Sequence, residues 1–315
     1  MIKNEIKLAY SSAILNAVII GLSFLFTKIA LQHSGPIDTL AYRFAAAFAV
    51  MSIPVLLGKI RLQYRGKPIW KMMLLATMYP LAFFTFQTFG LEHATSSEGG
   101  ILLATAPVLT TLLAAIFIKE KTSTVQKFSI LLSVTGVVFI FVMKGSGIAM
   151  SNMLGISLLF LSTLSMSGYS VLAKSLLKSY RPSEITYLML GIGFAVFGTV
   201  SVTGHAAAGT LSELWAPLAS GTFIASILYL GILSSLVTAM TSNYSLSKLP
   251  ASKVSVYSNL ATVVSIAAGA IFLNEDITWY AIAGSALIII GVIGTNRTAK
   301  PKAASKSSSY QQVEI

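Results

Sequence analysis

Apolar residues in this chain come in long unbroken stretches rather than in alternation with polar ones. Ten such stretches can be read, at 7–31, 37–58, 69–92, 97–118, 124–143, 153–177, 183–204, 217–240, 250–273 and 277–295. Each approaches the roughly twenty residues that an α-helix needs to cross a bilayer. The pattern therefore predicts an all-α membrane protein with ten transmembrane helices. Polar punctuation supports the boundaries. Pro36 and Pro182 suit a first helical turn, where a missing N–H costs little, and Gly66 with Pro68 breaks the chain ahead of the third run. Thr95 and Glu98 have the spacing of a capping box. Trp70, Trp215 and Trp279 all fall at predicted helix ends, where an amphipathic ring sits at the boundary of lipid and water.

Composition agrees with this reading. Hydrophobic residues make up 55% of the 315 and charged residues only 10%, against roughly 25% charged in a soluble domain. The net charge of +12 would suggest nucleic acid if the basic residues formed a stripe beside stacking aromatics. Instead they sit in small clusters between apolar runs, as charges that set topology do. With the N-terminus on the cytoplasmic side, 19 of the 22 Lys and Arg residues fall in segments on that side, leaving only Lys28, Arg43 and Lys144. Both termini are thus expected in the cytoplasm, with surrounding lipid as the main solvent. The chain has no Cys, which removes disulfides, thiolate metal sites and a Cys nucleophile. The first apolar run is longer than the core of a cleavable signal peptide and is read as a retained helix.

The chain also resembles itself. Ala115-Ile116-Phe117-Ile118-Lys119-Glu120 corresponds to Ala270-Ile271-Phe272-Leu273-Asn274-Glu275 at an offset of 155, and Ser97, Val108, Gly136 and Val137 fall on Ser252, Val263, Gly291 and Val292. Lys28 to Pro36 repeats as Lys174 to Pro182 at an offset of 146. The repeat divides the chain into 1–146, 147–296 and a tail, 297–315, rich in Ser, Lys and Gln and expected to be disordered. Five helices per half is an odd number, so the second half must enter the membrane from the opposite face. Two inverted five-helix repeats around a midplane site are the architecture of alternating-access carriers.

Two blocks carry a resemblance to a known family. One is Gly90-Leu91-Glu92-His93-Ala94-Thr95-Ser96-Ser97-Glu98-Gly99-Gly100, continuing through Ala106-Pro107-Val108 to Phe117-Ile118-Lys119-Glu120-Lys121. The other is Leu249-Pro250-Ala251-Ser252-Lys253 through Phe272-Leu273-Asn274-Glu275. Over residues 7–296 the chain resembles the EamA-type members of the drug/metabolite transporter superfamily. The resemblance implies a metabolite transporter, often an exporter, with a central cavity lined mainly by the first, third, fourth, sixth, eighth and ninth helices. The expected setting is a bacterial plasma membrane. Small four-helix relatives in that superfamily carry a glutamate in their first helix for proton exchange. Here neither 8–27 nor 153–173 contains an acid, which argues against that mechanism.

Polar residues inside a bilayer are costly and default to functional candidates. Tyr79, Phe83 and Gln87 are spaced by four and share one face of the third helix. Gly100, Ala104, Pro107 and Thr111 align on the fourth, Ser165 and Tyr169 on the sixth. Tyr257 and Asn259 open the ninth, Tyr229 and Asn243 mark the eighth, and Asn16 marks the first. For each, bonding between helices competes with substrate contact. Glu98 and Arg43 are candidates for coupling. The structural alternative for Glu98 is a helix cap, and for Arg43 snorkelling to the interface competes with anion binding or a fixed ion pair. Lys28 and Lys174 are read as interfacial charges, and Glu120 and Glu275 as parts of the repeat.

Nothing catalytic emerges. His33, His93 and His205 are unpaired at metal-ligand spacing, and no phosphate-binding loop of the Walker type occurs. No cofactor and no metal are expected. The leading reading is a secondary transporter, an exporter of small metabolites such as amino acids or related compounds. A passive channel is the alternative, followed by a polytopic enzyme or sensor, which would need acids or histidines clustered at one face. One chain of ten helices can enclose a site alone, so a homodimer is compatible but not required.

Overall fold

The computed structural model describes residues 2–144, 152–273 and 278–296. The tail at 297–315 and Glu275 lie outside them. Among the described residues the chain is helical, with no strand. Its elements are α1 (Ile2–Leu31), α2 (Pro36–Leu56), α3 (Ile69–His93), α4 in two pieces (Ser96–Leu103 and Ala106–Phe117), α5 (Thr124–Lys144), α6 (Asn152–Leu176), α7 (Pro182–Ala208), α8 (Gly221–Lys248), α9 (Ala251–Leu273) and α10 (Trp279–Asn296). Seven are long and apolar enough to cross a membrane: α1, α2, α3, α6, α7, α8 and α9. The second piece of α4, α5 and α10 contribute shorter apolar stretches, Ala106–Phe117, Thr124–Ile140 and Trp279–Gly291.

Two expected runs need correction. The run at 97–118 is not one helix, because it opens between Leu103 and Ala106. Pro107 has no N–H to return to the preceding turn, and Thr105 turns its hydroxyl back onto the Leu102 carbonyl at 2.7 Å. The run expected at 217–240 is displaced towards the C-terminus. Pro217 sits in a short 3-10 turn, Glu213–Ala219, and α8 starts after Ser220, whose hydroxyl caps the Phe223 N–H at 3.3 Å. The helix then continues to Lys248 through a polar stretch that hydropathy reads as loop. Those polar residues face protein: Ser245 donates to the Ala9 carbonyl at 2.9 Å, and Asn243 is fully buried.

The helix contacts map onto themselves when the two halves are exchanged. α1 packs on α9 as α6 packs on α4, and α8 packs on α1 as α3 packs on α6. The pairs α2–α7, α4–α9 and α5–α10 are their own counterparts. Where lipid tails supply no hydrophobic drive between helices, small residues permit the close approach that dispersion needs. At the α5–α10 crossing a Cβ on Gly136 would lie 2.6 Å from the Gly284 carbonyl oxygen, and one on Gly284 2.7 Å from that of Gly136. The outer surface carries large apolar side chains such as Leu56, Phe117, Val142 and Ile271, as lipid contact requires.

The repeat reappears in hydrogen bonds. Lys28, near the end of α1, donates to the Leu91 carbonyl near the end of α3 at 2.8 Å. Lys174, its repeat partner in α6, donates to the carbonyls of Leu246 and Leu249 at the end of α8, at 2.6 and 2.8 Å. Leu246 is Leu91 displaced by 155. Both lysines thus meet the last carbonyls of a helix, where cations are favoured. Asp38 and Glu184, another repeat pair, stand at the starts of α2 and α7. Asp38 accepts from Ser201 at 2.6 Å and pairs with His205 at 3.0 Å. Glu184 pairs with Lys67 at 2.7 Å and accepts the Gln63 and Arg181 N–H groups. Tyr64 donates to the Glu184 carbonyl at 2.8 Å, and burial together with the nearby carboxylate pushes its phenol pKa upward.

Candidate functional site

The third helix of each half departs from α geometry at matching places. In α3 the stretch Thr77–Ala82 is wide-turned, and Tyr79 has φ −146° and ψ 118°. Pro80 accounts for this, since the residue ahead of a proline is driven towards extended geometry. In α8 the stretch Tyr229–Val237 is a π-helix, a feature that often accompanies function. Ser234 and Ser235 are the residues that Tyr79 and Pro80 become at the offset of 155.

These two wide-turned segments flank a narrow cavity. It is built by α1 (Asn16, Ser23), α2 (Arg43), α3 (Tyr79, Phe83, Phe84, Gln87), α6 (Met166, Tyr169) and α8 (Ser234, Thr238, Ser242). A second narrow chamber shares Asn16, Ile20, Phe83, Met166 and Ser242 with the first. It runs towards the N-terminal parts of α1 and α9, past Thr110, Ser255, Tyr257 and Ser258.

One wall is aromatic. Tyr79 lies 4.7 Å from Tyr169, 5.0 Å from Phe84 and 5.4 Å from Phe83 between ring centroids. Tyr169 is held from behind: its hydroxyl donates to Asn243 Oδ1 at 2.6 Å, and Asn243 donates in turn to Thr186 at 3.1 Å. Arg43, which is 1% exposed, lines the same cavity. Its Nε donates to Ser235 Oγ at 2.7 Å, and its Nη2 to Ser234 Oγ at 2.8 Å and, longer, to the Ser234 carbonyl at 3.4 Å. The guanidinium carbon lies 4.1 Å from the centre of the Phe84 ring. Two cavity amides hold unpartnered acceptors, Asn16 Oδ1 and Gln87 Oε1, and in the second chamber Thr110 Oγ1 is unpartnered as well.

The structure brings together Asn16, Arg43, Tyr79, Phe83, Gln87 and Tyr169, with Tyr257 in the second chamber. The other candidates lie elsewhere. Gly100 faces α9, where a Cβ would fall 1.8 Å from Ser265 Oγ, and its carbonyl accepts from Thr262 at 2.6 Å. Pro107 begins the second piece of α4. Thr111 lines a groove between α4 and α5 instead of the cavity. The break in α4 explains this, because a helical periodicity cannot be carried across it. Ser165 turns its hydroxyl onto the Leu161 carbonyl of its own helix at 2.8 Å. Tyr229 donates to the Ile19 carbonyl at 3.0 Å and stacks on Phe26. Asn259 donates to Ser133 on α5, two residues from Tyr257 being enough to turn it to another face. Glu98 sits in the expected capping box, accepting the Thr95 N–H at 2.8 Å while its own N–H meets Thr95 Oγ1 at 3.1 Å.

Residues missed from sequence include Ser23, Phe84, Met166 and, above all, the series Ser234, Thr238 and Ser242. Hydroxyls repeating every four residues along an apolar helix were the available signal.

Among the described residues, neutral hydroxyls, amides, aromatic faces and one cation line this cavity. Comparisons with known proteins agree with this picture. The model of the EamA-like transporter family matches twice, over residues 7–142 and 153–297. The chain is 44% identical to the uncharacterized transporter YcxC of Bacillus subtilis (strain 168), over 94% of this chain and 95% of that one. It is 29% identical to an uncharacterized transporter of Archaeoglobus fulgidus, over 86% and 92%. A solved crystal structure shares its fold with a TM-score of 0.68 at 19% identity, covering 92% of this chain and 98% of its own. By its duplicated family match, its helical architecture and its kinship with proteins named as transporters, the chain belongs to the EamA-like transporter family.

Proposed function

We propose that this chain is a secondary transporter with ten membrane spans, both termini in the cytoplasm, that moves small organic solutes by rocking two inverted halves about the central cavity. One observation carries the reading. The cavity lies between α3 and α8, the repeat-related helices whose backbones both depart from α geometry there, and it is lined from both halves at once. A helix with such a departure beside a cavity can reorganise at little cost, because its backbone groups already have partners other than the regular ladder. The asymmetry of Lys and Arg supports the orientation, and the plasma membrane is the setting that such an asymmetry serves.

The test is counterflow in proteoliposomes made with the full chain. A panel of small metabolites is loaded inside, and a proton gradient is imposed or omitted. Saturable efflux that is accelerated by solute on the opposite side is expected, and its response to the gradient reads the coupling. Folded protein that moves no solute of the panel overturns the proposal. High conductance without counterflow overturns it in favour of a channel.

A further inference from the structure

Arg43 has a charge and, among the described residues, no acid to answer it. It lies seven residues into α2, about 10 Å along the axis from the helix start, and its burial excludes snorkelling to the interface. Every partner it has among the described residues is neutral: two serine hydroxyls, one carbonyl and an aromatic face. The acid nearest in sequence, Asp38, is committed to Ser201 and His205. Among the described residues no Asp or Glu lines either chamber. A guanidinium keeps its charge at physiological pH, and a buried charge without a counter-charge is an expensive feature for a fold to retain.

The geometry leaves part of the group unused. The serines engage Nε and Nη2, fixing the plane of the guanidinium, while Nη1 donates to no described residue. Asn16 and Gln87 line the same cavity with unpartnered amide oxygens, and either amide can present its NH₂ group instead by a flip. The remaining wall is Tyr79, Phe83, Phe84, Met166 and Tyr169.

We infer that Arg43 is the anchor for a carboxylate group on the transported solute, whose apolar or aromatic body lies against the Tyr79, Phe83 and Tyr169 wall. An end-on carboxylate would take its hydrogen bonds from Nη1 and the turned amides, and would supply the charge that the protein omits. The solute's amino group, if it has one, meets no acid in either chamber, so an amine is not a requirement. This inference rests on the transport reading and gives it a substrate class.

The experiment uses matched solutes that share one body and differ in one group: the carboxylate, its primary amide and the corresponding amine. Each competes in counterflow with the wild-type full chain, and in parallel with Arg43→Gln. Wild type should prefer the carboxylate over the amide by about 10- to 100-fold, the range for a hydrogen-bonded charged group. Arg43→Gln should lose that preference while keeping its elution volume and circular dichroism. Equal competition by amide and carboxylate in the wild type overturns the inference, as does undiminished preference in folded Arg43→Gln. If the variant fails to fold, the wild-type series decides alone. Flux of amines or amides without carboxylates sinks the carboxylate anchor and leaves the transporter standing. Absence of all flux sinks the transport reading itself.

Discussion

Arg43 in α2 and Met189 in α7 occupy equivalent places in the two halves, 146 residues apart. Both are about 1% exposed. Across from Arg43, the widened segment of α8 presents two hydroxyls. Met189 belongs to the core cluster that holds Tyr79, the residue that corresponds to Ser234. One scaffold position thus holds a hydrogen-bonded arginine in the first half and plain packing in the second. The symmetry positions the wide-turned helices, and the departure from symmetry places a cation at the cavity.

The severest way to break this comparison is Met189→Arg. It places a cation in a cluster without the serine pair, so a loss of about 3–5 kcal/mol is expected, as for an uncompensated buried charge. The variant should be recovered mostly as aggregate on size exclusion in detergent. A monodisperse product with an unchanged melting midpoint would show that α7 tolerates what α2 was built to hold.

A smaller effect tests the symmetric part. Lys28→Met and Lys174→Met each remove a cation from helix-terminal carbonyls and should each cost about 1 kcal/mol. Ser245, beside the Lys174 cap, bonds to Ala9, and Lys28 lies 19 residues further along α1, about 28 Å away. The two losses should therefore add in the double variant, and marked non-additivity in thermal melts would contradict the independence of the caps. The smallest effect expected is that of Ser165→Ala, within about 0.5 kcal/mol and with counterflow unchanged, because its hydroxyl serves only its own helix. A large loss of transport would return Ser165 to the site.

Much of this fold was readable in the pattern of apolar runs, because lipid demands long helices whatever their neighbours. The places where reading failed have local causes. The polar end of α8 looks like loop until the buried surroundings of Asn243 and Ser245 are known. The fourth run conceals its break, since Ala104 and Thr105 leave hydropathy intact. That break is also why the helical spacing from Gly100 to Thr111 led away from the cavity. On α3 the same spacing placed Tyr79, Phe83 and Gln87 in one chamber. Arg43 was conspicuous as a charge, but its serine partners lie 191 and 192 residues away, beyond the reach of any local pattern.

The helix pairs that are their own counterparts, α2–α7, α4–α9 and α5–α10, have a consequence for ancestry. They form the isologous kind of interface that two identical subunits make about a two-fold axis. A single half paired with its copy could make the same contacts, but any arginine placed beside the cavity would then occur twice. Joining the halves in one polypeptide releases that constraint. Duplication followed by divergence lets the cavity carry an odd number of charges, which the proposed transport would use to distinguish one end of a solute from the other.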